Sequence, residues 1–242
     1  MDEHLFEEAL GFAREFSREG TLVLEEYITN TFPHVIGGDV FVVDGEVRFW
    51  GLMSCLRDNE VAPLVPVGEF SPSGLSPLQE QEVKQEIQGL VESLGMRFGE
   101  MNVEVIIGEG NKPYIIELGA RAGGNMIPLE LSDASGIDLV EQLVLMTMGE
   151  EPCDLSFDGH GKLAATQVAY ARESGVFKEV KYSKKASPHI YREFINVSPG
   201  DRVERLTYGS KALGVVFLSF DSEEEMKEVL RDAERTIDVV VE

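Results

Sequence analysis

The sequence predicts an α+β fold, an antiparallel sheet with flanking helices followed by a small β-rich C-terminal domain. Three observations carry this expectation. Two hairpins are legible: GDVFVVD and EVRFWGLMS (38–44, 46–54) meet at Asp44-Gly45, and MNVEVII and PYIIEL (101–107, 113–118) flank a turn containing Gly110-Asn111. Asp-Gly and Gly-Asn are hairpin turns because these residues tolerate positive φ. Ser76-Pro77 opens a helix running to about Leu94, with serine as N-cap and proline at the first helical position. After Pro152 the pattern changes to shorter strands and polar turns, which places a boundary between residues 1–152 and 153–242.

Taken in order, Leu5, Phe6, Ala9, Leu10, Phe12, Ala13 and Phe16 form a helical stripe over 2–18, ended by Gly20. TLVLEE (21–26) reads as a short strand. The stretch from Pro63 to Pro77 is rich in Pro, Ser and Gly and is expected to be irregular. Asp138 and Glu141 resemble a cap for a helix at 139–148. In the last third, strands are expected at 162–170, 177–182, 189–196, 202–205 and 213–220. Ser222 with Glu225 is a capping box for a helix at 223–235, and IDVVV closes the chain.

The chain has 242 residues, 44 acidic against 21 basic, for a formal net charge of −23. That balance argues against nucleic acid or an anionic membrane as the main partner, since both require a basic face. No stretch approaches the roughly 20 apolar residues of a membrane span, and the acidic, amphipathic N-terminus is not a signal peptide. Cys55 and Cys153 are far apart and read as thiols of a reducing cytoplasm. His4, His160 and His189 lack zinc spacing, and no Gly-x-Ser-x-Gly or Cys–His arrangement suggests a hydrolase. Lys181, Lys184 and Lys185, the one basic cluster, read as a solvated turn.

The most informative feature is the second hairpin. With Gly110-Asn111 at its centre, cross-strand partners have numbers summing to 221, so Glu104 faces Glu117 with Cβ atoms about 5 Å apart. Like charges directly opposite are destabilising unless something cationic sits between them. Magnesium, which takes carboxylate oxygens plus substrate phosphates, is the natural occupant. Arg121, Gly123, Gly124 and Asn125 follow Glu117 closely. A guanidinium and bare backbone beside a divalent-cation site describe a phosphate-handling centre.

The order of these parts resembles the ATP-grasp superfamily of carboxylate-amine and carboxylate-thiol ligases. The parts are a helix, Glu25-Glu26-Tyr27-Ile28, an Asp-Gly hairpin, a capped helix and a two-glutamate hairpin ending in Arg121-x-Gly123-Gly124. Within it the chain is similar to the branch of biotin carboxylase, carbamoyl-phosphate synthase and phosphoribosylglycinamide synthetase, and to L-amino-acid ligases. The resemblance implies an adenine hinge at Glu25, Glu26, Tyr27 and Ile28, a strand edge whose N–H and C=O match adenine. It implies Mg²⁺, with Mn²⁺ an acceptable substitute, on Glu104 and Glu117, and a phosphate-facing Arg121. Gly123 and Gly124 would let backbone N–H groups approach the anion. Many members carry an asparagine two residues after the second glutamate as a third metal ligand; Gly119 stands there, and Asn125 is the substitute candidate. His34, Asp39, Arg57 and Asp58 fall where relatives place ribose or phosphate contacts, whereas Phe49 and Trp50 read as packing residues.

The resemblance further implies that ATP activates a carboxylate as an acyl phosphate for attack by an amine. It allows a homodimer. The lysines and glycine-rich loop that precede the hinge in relatives have no counterpart, so the expectation is a C-terminal portion of a ligase. Alone it would bind ATP near millimolar, about −4 kcal/mol, and turn over nothing until joined by the missing N-terminal segment. The alternative is a non-catalytic acidic regulatory module that binds metal or nucleotide and needs neither Arg121 nor the hinge.

Overall fold

A computed structural model describes residues 3–231 and 235–242. The first residue of the helix expected at 2–18, and residues 232–234 of that expected at 223–235, lie outside the described residues. Eleven strands and five α-helices follow one another along the described residues. Eight strands form one antiparallel sheet, in the order β5 (Pro113–Gly119), β4 (Phe98–Ile107), β1 (Val35–Val43), β2 (Glu46–Arg57), β3 (Pro66–Ser71), β6 (Leu163–Ala169), β10 (Gly214–Phe220), β8 (Ile190–Ile195). A second, three-stranded sheet has the order β11 (Ile237–Val241), β7 (Gly175–Tyr182), β9 (Arg202–Val203). β3 pairs with β6, so the large sheet continues across residues 152 and 153.

The first hairpin forms as expected: Val43 pairs with Glu46 across Asp44 and Gly45, both at positive φ. α2 (Pro77–Leu94) is capped by Ser76, whose side chain accepts from the Gln79 N–H while the Gln79 side chain returns to the Ser76 N–H; Gly95 ends the helix in the left-handed region. Its Val83, Ile87 and Val91 are fully buried against Ile36, Val40, Val42, Val103, Val105 and Ile107 of the sheet. The opposite sheet face packs Phe41, Phe49 and Met53 against Ile127 and Leu131 of α3 (Ile127–Ser135) and Leu139 of α4 (Leu139–Thr147). Asp138 caps α4 by accepting from the Glu141 N–H at 3.0 Å. α5 (Glu223–Leu230) is capped by Ser222 and buries Met226, Val229 and Leu230 against β6 and β10.

Two expectations fail. β3 lies inside the segment read as irregular, because strands on both sides pair with it and tertiary pairing overrides local propensity. Residues 21–26 form no strand, and among the described residues no strand pairs with them: Val23 is 81% exposed and Leu24 76%. An apolar run without a ladder partner gains nothing from extended geometry. The preceding α1 (Glu3–Phe16) likewise leaves Leu5, Phe12 and Phe16 exposed. Among the described residues no helix is long and apolar enough to cross a membrane.

Candidate active site

Alternation in β4 decides where its polar side chains go. Met101, Val103, Val105 and Ile107 belong to the core under α2, so Glu100, Asn102 and Glu104 project from the other face. In β1, Asp39 shares that face with Phe41 and pairs with Asn102. Cys55 pairs with Glu69, and Glu69 with Thr166. One patch of a single sheet face therefore carries Asp39, Glu100, Asn102, Glu104, Glu69 and Thr166, and α3 adds Glu130.

Glu104 does pair with Glu117, though not by the expected route. The turn is closed from the Gly108 N–H to the Lys112 carbonyl at 2.8 Å, with Gly110 and Asn111 at φ 72° and 65°. Beside it Ile107 pairs with Pro113 and Val105 with Ile115, one position out of step. A bulge at Ile116 then restores the register that opposes the two glutamates. Arg57 Nη2 lies 4.0 Å from Glu104 Oε2, and Arg121 Nη2 4.0 Å from Glu117 Oε1; neither reaches hydrogen-bonding distance. Burial pushes the Glu104 pKa up, Arg57 opposes this, and Glu117 adds to it. Two facing carboxylates with arginines held off at that distance fit a hard cation that takes one or two carboxylates and completes its shell with water and phosphate.

Asn125, the candidate third ligand, is engaged through its amide nitrogen. Its Nδ2 donates to Glu69 Oε1 at 3.2 Å, and among the described residues no three His, Cys, Asp or Glu side chains converge as a metal site. Arg121 is half-exposed, its Nη1 donating to the Ala122 carbonyl at 2.9 Å. The two glycines differ. A Cβ on Gly123 would sit 2.8 Å from Asp39 Oδ1 and 2.9 Å from Asn102 Nδ2, whereas one on Gly124 would meet nothing within 4 Å. Gly123 is bare because the sheet lies against it; the open approach is at Gly124.

A cavity of about 680 Å³ lies beside Glu104 and is lined by Tyr27, Ile28, His34, Arg57, Ile106 and Leu230, among others. Glu25 and Glu26 are exposed and outside its lining. The hinge segment is tied down just after Ile28. Asn30 Oδ1 accepts from the Ile107 N–H at 3.1 Å, Asn30 Nδ2 donates to the His34 carbonyl at 2.9 Å, and the Thr31 N–H donates to the Ile107 carbonyl at 2.6 Å. His34 stands edge-on to Phe70 at 5.2 Å, and its burial lowers its pKa. Asp58 is a clip between elements: it accepts from Tyr170 at 2.7 Å, from Arg172 at 2.6 Å and from the backbone of Glu60 and Val61. Burial opposes its ionisation, but these donors hold the pKa below the ordinary value. Trp50 carries Lys84 over its ring at 5.6 Å, a packing role.

The buried acids were the part sequence reasoning missed. Burial raises Glu69 to about 7, against hydrogen bonds from Asn125 and Thr166, with the charges of Glu104 and Asp39 adding. Burial, then the Asp39 charge, raises Glu100 to about 9; Glu130 is raised well above its ordinary value, again by burial. Thr166 Oγ1 lies 3.1 Å from Glu69 Oε2 and 2.7 Å from Glu130 Oε2. One hydroxyl proton serves only one of them, so the other carboxyl must itself donate.

Residues 167–242 match the family model for L-amino acid ligase C-terminal domain 2. No curated protein matches the sequence. Among solved structures, phosphoribosylglycinamide synthetase from Anaerococcus prevotii shares 19% identity and a TM-score of 0.70, over 100% of this chain and 61% of that one. L-amino acid ligase from Bacillus licheniformis shares 17% identity with a TM-score of 0.75, over 89% and 53%. The biotin carboxylase domain dimer of Hydrogenobacter thermophilus 2-oxoglutarate carboxylase, in complex with MgADP, ADP and bicarbonate, shares 19% with a TM-score of 0.74, over 98% and 52%. The chain thus spans half to three fifths of these structures. Its fold matches the ATP-grasp fold, and its last third carries the likeness to the L-amino acid ligase C-terminal domain.

Proposed function

We propose that the chain is the nucleotide- and metal-handling part of an ATP-dependent carboxylate-amine ligase. The observation that carries this is the register opposing Glu104 to Glu117 at a cavity lined by Tyr27 and Ile28. Adenine would lie between Ile28, Ile106 and Leu230, with hinge contacts from the backbone of Glu25 to Ile28 and with His34 nearby. Leu230 comes from the far end of α5, so residues 153–242 would close a site built mainly by 1–152. Glu104 and Glu117 would hold Mg²⁺, or Mn²⁺ in its place, and Asn125 would stay on Glu69 rather than join them. When bound, the ion neutralises the phosphate charge that otherwise opposes phosphoryl transfer to a substrate carboxylate.

The chain's own groups then have distinct tasks. Arg57 and Arg121 flank the carboxylate pair and face the phosphates. Arg121, a planar fork on a turn, suits bidentate binding of a carboxylate or an acyl phosphate while an amine attacks. The Gly124 N–H would add a donor. We also propose a cytoplasmic setting, compatible with the unbridged Cys55 and Cys153, and a dimer like that of the biotin carboxylase domain. Further cationic groups would come from the portion the longer relatives possess.

Mg-ATP offered with pairs of small carboxylates and amines, with ADP release as the readout, tests this reading. Arg121→Lys should lower turnover far more than ATP affinity, because charge is kept and the fork is lost. Metal-dependent ATP binding without ADP release from any pair, even with the upstream portion of a relative supplied, would favour a non-catalytic module instead.

A further inference from the structure

We infer that Asp39 is a positioning residue: with Asn102 it fixes the Arg121–Gly124 turn over the sheet and so sets where Arg121 and Gly124 point. The consequence for ligand binding rests on the proposed function; the tether itself does not.

Asp39 is fully buried in β1, and both its oxygens are used. Oδ1 accepts from Asn102 Nδ2 at 2.9 Å and Oδ2 from the Gly123 N–H at 3.0 Å. Asn102 spends its second amide hydrogen on the Gly38 carbonyl at 3.0 Å, and its backbone N–H donates to the Arg121 carbonyl at 3.1 Å. Residue 123 is thus held from below by the Asp39–Asn102 side-chain pair, and residue 121 by the backbone of Asn102, on adjacent strands. Only glycine allows that approach, since a Cβ on residue 123 would meet both tethering side chains within 3 Å. Past the turn, Asn125 and Met126 take φ of 48° and 61°, conformations that non-glycine residues hold only where the surroundings over-determine them.

A buried carboxylate is a costly way to fill a sheet face, and apolar residues of similar size often serve stability as well or better. What it adds is direction, because a charge-assisted bond to a main-chain N–H fixes one geometry. The groups facing Asp39 agree with this. Burial, then the Asp39 charge, raises the Glu100 pKa and so disfavours a competing charge there; burial also raises the Asp39 pKa, and the bonds from Gly123 and Asn102, the bond with Glu100 and the Arg121 charge oppose that rise.

Amide hydrogen exchange by NMR on the full chain is the test. Asp39→Asn turns one acceptor into a donor facing either Gly123 or Asn102. It should speed exchange at Gly123 about tenfold or more, a loss of about 1.4 kcal/mol in local protection, while Val40 and Val105 keep their rates. Asp39→Asn combined with Asn102→Asp restores the donor–acceptor match, at the loss of the bond to Gly38, and should recover most of the protection. Unchanged exchange at Gly123, or equal acceleration throughout β1 and β4 without recovery in the exchange variant, overturns the tether. Should Asp39→Asn not fold, the scalar coupling between the Gly123 nitrogen and the Asp39 carboxyl carbon in the unaltered chain decides, its absence counting against the tether. A confirmed tether with Arg121-dependent turnover unaffected by Asp39→Asn would instead overturn the inference that the tether sets where Arg121 points.

Discussion

The β4–β5 hairpin with its following turn, and the segment from Ser17 to His34, were expected to supply the two halves of one site, yet they are held in opposite ways. The hairpin is fixed by a ladder, by the core under α2 and by buried carboxylates that grip the turn. Among the described residues the N-terminal segment joins no strand ladder; Asn30 and Thr31 pin its end to Ile107, and Tyr27 is left 88% exposed. The difference teaches that a site half gains rigid geometry from a ladder, a core and buried tethers together, and lacks it where a segment is bonded at one end.

The largest expected contrast is in the cores. Ile87→Ala, at a fully buried position of α2, should cost about 2–5 kcal/mol, whereas Val23→Ala in the exposed segment should stay within about 0.5 kcal/mol. Urea unfolding of both variants checks this; equal losses would erase the comparison.

Next comes pH. The fold raises Glu69 from 4.5 to about 7, so it favours the protonated form. The stability tied to that proton is complete below about pH 4.5 and is lost as pH rises through about 7. At 1.36 kcal/mol per unit the loss is roughly 3 kcal/mol. Glu69→Gln should flatten this window relative to the unaltered chain, measured as the difference in urea midpoint between pH 5 and 8. An unaltered slope would show that Glu69 is not the group responsible.

A smaller effect is expected at the pin. Asn30→Ala removes the acceptor for the Ile107 N–H and the donor to the His34 carbonyl. The expected cost is about 1–2 kcal/mol, confined to the segment and seen as faster exchange at Ile107 with β1 unchanged.

Much of the fold was readable because its signals are local. Asp44-Gly45, the Ser76–Gln79 box with Gly95, and the Asp138 and Ser222 caps each specify an end within four residues. The Glu104–Glu117 pairing was readable from the same logic, although the bulge at Ile116 and the wider turn offset each other. β3 was hidden because its Pro, Gly and Ser content argued for a loop while its partners lie far away in sequence. For the same reason the apposition of Glu69, Thr166 and Glu130 could not be inferred from spacing. Residues 21–26 misled in the other direction, having strand composition with no strand beside them. Gly123 was expected to offer its N–H to an anion; that this N–H donates to Asp39 could be known only with the sheet in place.

The central claim is that the opposed glutamates form a divalent-cation site for nucleotide phosphates. Its most direct test is the thermal shift of the chain with ATP, with and without Mg²⁺, compared with Glu117→Gln. At 10 mM ligand and a Kd near 1 mM, linkage would add about 1.4 kcal/mol. That gain should require Mg²⁺ and vanish in Glu117→Gln. Without ligand the variant should be as stable as the unaltered chain or a few tenths of a kcal/mol more so, because like charges no longer face each other. A shift that is independent of Mg²⁺, or one that persists in Glu117→Gln, would contradict the assignment.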